Sequence, residues 1–385
     1  MDGTTISSCI SKKKFSPRKK TNEIANPKEM LTMTPSLPSV STQNHSLFFW
    51  LSGTCFLIWL MIILGGATRL THAGLSIVEW KPITGIIPPL TEAQWQEAFE
   101  NYKQYPEYKL VNQGMALSSF QFIYFMEYAH RLLGRLVGLW FILPLVIFWR
   151  QGSLSVKLKQ RSLIALVLGL SQGVMGWYMV KSGLVKDPNV SPYRLTTHLA
   201  LAIALYGVLF WTVLEMVAAP LRSAAKRECA VIRWLSLASC AALGLTILYG
   251  GFVAGLKAGL IYNTFPLMEG QFTPGEWAFY HPVWINFFEN AALVQWMHRW
   301  LASSAVVIIL LTAWKTWRHS PNQHTRTLAL LFASAALGQA TLGVLTLLFH
   351  VPVILGTLHQ GTAILVLSLG LGLCYFSSSH QSHRP

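Results

Sequence analysis

Four histidines in apolar surroundings, His130, His198, His298 and His359, are the residues of this chain whose type and placement could do chemistry. Imidazole is a common transition-metal ligand, and its charge is easily tuned by what surrounds it. The first of the four sits in Glu127-Tyr128-Ala129-His130-Arg131, near the start of an apolar run from about 119 to 149. Glu127 and His130 are three residues apart, so in a helix they share a face. Ionisable groups inside such a run are costly and need a reason. A structural reason exists: a Glu127–Arg131 pair at i,i+4, with His130 hydrogen-bonded inside a bundle. Taken alone, it is as good as a chemical one. A lone histidine on an apolar face is more often a satisfied core residue than a ligand. Four at corresponding places reverse that weighting.

The elements that position them are membrane spans. Of 385 residues, 52% are hydrophobic and 12% charged, with mean hydropathy +0.42. That composition belongs to an all-α polytopic membrane protein. Apolar runs predict eight spans at about 47–66, 119–149, 162–182, 195–217, 234–255, 290–314, 328–349 and 355–376. The formal net charge of +15 does not imply nucleic acid, because its placement follows topology. Nineteen Lys and Arg lie in the N-terminal tail, in alternate loops and at Arg384, against seven in the other loops. The positive-inside rule then puts both termini in the cytoplasm of a bacterial cell (inner) membrane, or in the matrix for a mitochondrial inner membrane. Residues 1–46 read as a disordered tail richer in Lys than a transit peptide and interrupted by Asp2, Glu23 and Glu29. Residues 377–385 form a second tail. Cys9, Cys55, Cys229, Cys240 and Cys374 all fall in spans or on the inner side, and no C-x-x-C-H haem-attachment signature occurs.

The first outer loop, 67–118, is the largest piece outside the membrane. Thr91-Glu92-Ala93-Gln94 has the form of a capping box. Trp95, Phe99 and Tyr102 follow at helical spacing, predicting an amphipathic helix along the outer surface or over the bundle mouth. Trp80, Lys81-Pro82 and Pro88-Pro89 suggest a fixed irregular loop.

The chain then repeats. Gly65-Gly66 recurs as Gly250-Gly251, Ala73-Gly74-Leu75 as Ala258-Gly259-Leu260, and His130-Arg131 as His298-Arg299. Span 3 carries Ser171-Gln172-Gly173-Val174-Met175-Gly176 where span 7 carries Gly338-Gln339-Ala340-Thr341-Leu342-Gly343. Thr197-His198-Leu199 aligns with Leu358-His359-Gln360. Matches in one order mean duplication: two parallel-repeat four-helix bundles, 47–217 and 234–376, joined by an inner linker at 218–233. Spans 2, 4, 6 and 8 all start from the outer side, which places each histidine in the first third or so of its helix and all four at similar depth.

Two facing imidazoles in each four-helix half suit iron in a haem plane. Gly134, Ala202, Ala302 and Ala363, each four residues beyond its histidine, would clear room for a flat macrocycle, although small residues also pack helices generally. A tetrahedral zinc set lacks its remaining ligands. Arg131, Arg135 and Arg299 suit haem propionates, and equally lipid phosphates or Glu127. His45, His72, His281, His319, His324, His350, His380 and His383 read as solvated or local.

These residues resemble the haem A synthases, membrane enzymes that convert haem O to haem A for terminal oxidases. The resemblance covers about Leu51 to Leu373. It rests on Gly65–Leu90, EYAHRLLGR from Glu127, GGFVAGLKAGLIYNTFPLM from Gly250, VQWMHR from Val294 and LHQGTA from Leu358. A long Trp- and Pro-rich first outer loop without paired cysteines is similar to the branch shared by proteobacteria and mitochondria. A cysteine-pair redox role proposed for the other branch does not apply here. The resemblance implies a resident haem b held by His298 and His359, and substrate haem O held by His130 and His198. It implies oxidation of the C8 methyl by two hydroxylations, with dehydration of the diol to a formyl group. Haem O synthase, oxidase assembly factors and a homo-oligomer are partners it suggests, beside membrane lipid.

With both imidazoles bound, the substrate iron has no open position. Oxidation would then remove electrons from the macrocycle and add water, with Glu127 stabilising positive charge and accepting the proton. Departure of one imidazole would instead allow iron–oxygen chemistry. Two other classes stand beside the enzyme. One is a di-haem electron carrier, which would want haems near opposite faces. The other is a haem-delivery protein in which Glu127 is structural.

Overall fold

Each apolar run expected to cross a membrane is a helix in the computed structural model, which describes residues 42–79, 84–185, 188–225, 227–275 and 277–378. In chain order the helices are α1 (Thr42–Leu70), α2 (Glu92–Lys103), α3 (Pro106–Leu110), α4 (Leu117–Arg150), α5 (Val156–Gly183), α6 (Pro192–Ala224), α7 (Ala230–Gly255), α8 (Asn286–Glu289), α9 (Ala291–His319), α10 (Gln323–Leu348) and α11 (Val353–Ser377). Among the described residues, eight of these are long and apolar enough to cross a bilayer. The protein is an all-α, multi-pass membrane protein. Of the expected tails 1–46 and 377–385, residues 42–46 are helical in α1 and Ser377 ends α11. Residues 1–41 and 379–385, with Cys9, and Trp80, Lys81 and Pro82 lie outside the described residues.

The helices overrun the apolar spans at several ends, and α5 shows why. A hydropathy window stops where charge begins, but backbone hydrogen bonding does not. Lys157, Lys159 and Arg161 are therefore helical. Glu215 of α6 receives two of them, Lys157 at 2.7 Å and Arg161 at 2.8 Å. That pairing also accounts for a carboxylate inside a predicted span.

Packing follows two groups. Helices α1, α4, α5 and α6 pack mainly with one another, as do α7, α9, α10 and α11. The groups meet where α1 lies on α11 and α6 lies on α7. Trp59 Nε1 donates to the carbonyl of Gly361 at 2.9 Å and Gln360 Nε2 to that of Ile62 at 2.9 Å. Glycine sets the α6–α7 approach: a Cβ on Gly251 would lie 2.9 Å from Thr196 Oγ1, and one on Gly255 2.5 Å from Pro192 Cα.

Residues 71–79 and 84–116 cover one end of the first group, here called the long-loop face. The expected capping box is present, with Thr91 Oγ1 accepting from Gln94 N and Gln94 Oε1 from Thr91 N. Trp95, Phe99 and Tyr102 turn inward. Phe99 and Tyr102 stack on Phe120, with ring centroids 5.0 and 5.2 Å apart. So α2 lies against the first turns of α4. Before α2, Leu75 rests on α5, where a Cβ on Gly183 would sit 3.0 Å from its methyls.

Substitution of Gly255 tests the glycine contacts. Gly255→Val forces a side chain against the main chain of Pro192 and should lower stability by roughly 1–3 kcal/mol. Gly244→Ala, which meets nothing within 4 Å, should stay within about 0.5 kcal/mol of the parent. Thermal unfolding in detergent reads both.

Candidate functional site

Helices α4 and α6 bring His130 and His198 within electrostatic reach of each other, and α9 and α11 do the same for His298 and His359. All four rings are half-buried. Each lies against a glycine of a neighbouring helix. A Cβ on Gly65 of α1 would be 3.2 Å from His130 Nε2, and one on Gly176 of α5 3.6 Å from His198 Cε1. In the second group a Cβ on Gly250 of α7 would be 3.3 Å from His298 Cε1, and one on Gly343 of α10 2.8 Å from His359 Cε1. Gly65 and Gly250 are one repeated pair and Gly176 and Gly343 the other. The helices have exchanged side-chain bulk for imidazole at four equivalent places.

Second contacts orient the rings. His298 Nδ1 is 3.1 Å from the carbonyl oxygen of Thr246, which fixes its proton there and leaves Nε2 with a free lone pair. His359 Nδ1 lies 3.1 Å from Gln339 Nε2, which also donates to the carbonyl of His359 at 2.8 Å. Gln172, the counterpart of Gln339, donates to the carbonyl of His198 at 2.7 Å. His198 Nδ1 itself is buried without a hydrogen-bond partner. A histidine so placed fits a ligand role better than a packing role, since an orphaned buried polar atom is a cost with no return in packing. Glycine cradles, a lone pair freed on His298 and this orphan together fit pairs of axial imidazoles. Among the described residues, no three or more His, Cys, Asp or Glu side chains cluster as a metal site. The donor sets are pairs.

Glu127 does more than pair with Arg131. Its Oε1 takes two donors from that guanidinium, Nη2 at 2.6 Å and Nε at 3.0 Å. Its Oε2 accepts from Ser76 Oγ and from Ile77 N, both at 2.8 Å. Arg131 continues to the carbonyls of Ile77 and Glu79 at 2.9 and 3.4 Å. In the second group Gln295 stands three residues before His298, as Glu127 does before His130. Gln295 Nε2 donates to the carbonyls of Ala258 and Tyr262 at 2.9 and 3.2 Å, and its Oε1 accepts from Arg299 at 3.2 Å. Arg299 reaches the carbonyls of Tyr262 and Thr264 at 2.6 and 2.8 Å. One device thus clamps the loop after α1 and the loop after α7, with a carboxylate in the first copy and an amide in the second. Arg131 and Arg299 both face loop carbonyls, and Arg135 lies one turn further along α4, half-buried.

His198, His298 and His359 lie in the first third of their helices, and His130, fourteenth of the 34 residues of α4, lies a little beyond it, much as in the apolar run 119–149. Helix α4 begins at Leu117, so His130 lies further from its start than the other three lie from theirs. The extra turns are the platform for α2. His72, His281, His319, His324 and His350 are exposed, as is His45, which belongs to α1 and not to a tail. His380 and His383 lie outside the described residues. At His72, burial, Lys257 and Arg69 together push the imidazole below its usual pKa. The histidine-facing glycines and the paired glutamines Gln172 and Gln339 stand inside the repeated motifs. The repeats mark them, but not what they touch.

A helical membrane protein that faces imidazoles in pairs across each of two helix groups is the class that fold and site define. Residues 48–371 match the COX15-CtaA family, described as cytochrome oxidase assembly protein, and the chain belongs to that family. It is 44% identical over 321 residues to a protein of Rhodospirillum centenum named heme A synthase, covering 83% of this chain and 85% of the relative. A protein of the same name from Paramagnetospirillum magneticum is 45% identical over 349 residues, with 89% and 97% covered. One from Parvibaculum lavamentivorans is 41% identical over 336 residues, with 87% and 95% covered.

The long-loop face carries one further ionisable group of note. Glu107 of α3 is 5% exposed. Burial, opposed by Lys257 and assisted by Glu127, pushes its carboxyl from 4.5 up to about 7. The folded state then holds this proton more tightly than the unfolded chain does. Stability from this group is intact below the ordinary carboxylate range and is lost as pH rises towards 7. Glu107→Gln should therefore stabilise the protein at pH 8 by ~1–3 kcal/mol and have little effect at pH 5. Detergent melting curves at the two pH values check the sign.

Proposed function

We propose that the protein is a haem A synthase, oxidising the C8 methyl of haem O to a formyl group by two successive hydroxylations and loss of water. Substrate haem O is held through its iron by His130 and His198 in the N-terminal half. Haem b is resident in the C-terminal half, held by His298 and His359, and supplies one-electron redox chemistry when bound there. The halves are a parallel repeat. The long-loop face is the outer side of a bacterial inner membrane, or of its mitochondrial equivalent, and both termini lie inside.

The observation that carries this reading is the exchange of Glu127 for Gln295 between otherwise equivalent clamps. A purely structural clamp works with an amide, as the second copy demonstrates. A carboxylate in the first copy adds a fixed negative charge one helical turn from His130. There it stabilises positive charge as the methyl carbon is oxidised, and it is placed to take a released proton. Arg131, Ser76 and Ile77 hold that carboxylate still, so no reorganisation is needed when charge develops. The family and the names of its relatives support the same conclusion. A haem-delivery protein would have no use for the added charge. A transmembrane electron wire would separate its two haems, whereas both histidine pairs stand towards the same face.

Chromatography of haems extracted from cells making haem O tests the activity: haem A should appear only when the protein is present. His298→Ala and His359→Ala should lose haem b from the purified protein. His130→Ala and His198→Ala should keep it and make no haem A. Glu127→Gln keeps an acceptor for Arg131 and should retain bound haem O while haem A formation falls by about 100-fold or more. Undiminished haem A from that variant would remove the carboxylate from the mechanism.

A further inference from the structure

The two helix groups differ at one seam. Helices α9 and α10 pack along their length, while α4 and α5, which hold the corresponding places, scarcely touch. The most apolar stretch of α4 is 11% buried and that of α5 6%, against 28% and 22% for α9 and α10. Small side chains close the second seam: Ala313, Ala329, Ala333 and Ala336 share one buried cluster, and Ala305 is 3% exposed. The register that sets His130 on His298 puts Val137 and Leu145 where α9 has Ala305 and Ala313. Small residues let membrane helices approach, and larger ones hold them apart.

The open seam leads towards the first histidine pair. Gly169 lies two turns from Gly176 on the same face of α5, and nothing stands within 4 Å of the Cβ it lacks. Its counterpart in α10, Ala336, is 4% exposed. Gly138 of α4 also meets nothing within 4 Å. An open groove lined by Val167, Leu170, Ser171, Val174, Met175 and Leu201 runs along the outward side of α5 and α6. Val167, Leu170 and Val174 are 62, 60 and 65% exposed there, and the groove lies on the opposite side of α5 from Gly169 and Gly176. The long-loop face is shut by comparison. There Leu75 rests on Gly183 of α5 while Ser76 and Ile77 are tied to Glu127 of α4.

We propose that the α4–α5 seam is a lateral portal through which haem O passes from the bilayer to His130 and His198. The closed α9–α10 seam is then what keeps the other haem resident. This rests on the haem A synthase reading and adds to it a route. An amphiphile with an isoprenoid chain partitions into lipid, so a side gate at bilayer depth meets it where it already is.

The test follows loading of haem O from phospholipid vesicles into the full-length, haem b-containing protein in nanodiscs, by growth of the low-spin Soret band. Gly138→Phe and Gly169→Phe wedge the seam and should slow loading by at least about tenfold, with haem b content unchanged. Gly338→Phe puts the same bulk at an open position of α10 and should load at the parent rate. Retained haem b shows that a slow variant has folded. Parent-like loading by both wedge variants would overturn the portal and leave the function standing. Loading of the parent that is indifferent to His130→Ala would remove the N-terminal haem O site, and the portal with it.

Discussion

A histidine ring can stand among close-packed helices only where the facing helix has no Cβ, and that exchange of glycine for imidazole is the constraint on which the rest of the structure depends. It fixes which helices must be neighbours: α1 beside α4, α5 beside α6, and their counterparts in the second group. It also fixes rotation about each axis, because a glycine turned away from its ring would leave a void and a clash together. The interface between the groups obeys the same rule, with Gly251 and Gly255 admitting Thr196 and Pro192. In lipid no hydrophobic force drives helices together, so packing at small residues has to supply specificity.

Upon that frame the loops are fastened by charge and amide in the least forgiving dielectric. A carboxylate 3% exposed survives because every acceptor position has a donor, two of them from a guanidinium. Removing Arg131 alone would strand that charge, at a cost of about 3–5 kcal/mol. The equivalent clamp built on Gln295 carries no such exposure to loss. Retaining the more fragile version in one copy is difficult to explain by stability, which directs attention to what a negative charge does beside His130.

Much of this was legible in the sequence. Eight apolar runs and a capping box at Thr91 foretold the helices and the α2 cap, and repeated motifs marked the four histidines that lie against glycines. Two features were not legible. The charged start of α5 is helical because Glu215, far along the chain, neutralises it. The glycines opposite the histidines were visible as letters, but contact between residues this far apart in sequence is not encoded in local pattern. Gln295 was in plain view three residues before His298. Its meaning appeared only when both clamps could be compared bond for bond.

The two helix groups share one ring-and-glycine geometry, and the proposed function requires that they differ. The differences are few and local. One clamp keeps a carboxylate and the other an amide. One seam is filled with alanine, and the other is left ajar by Val137, Leu145 and Gly169. These changes lie on separate surfaces of the bundle, the first beneath the long loop and the second facing the bilayer, so each can vary without disturbing the imidazoles between them. A site that must release what it binds needs lower barriers around it than one that must hold its ligand. The looser packing of α4 and α5 therefore belongs with the carboxylate in one half, just as alanine packing belongs with the amide in the other.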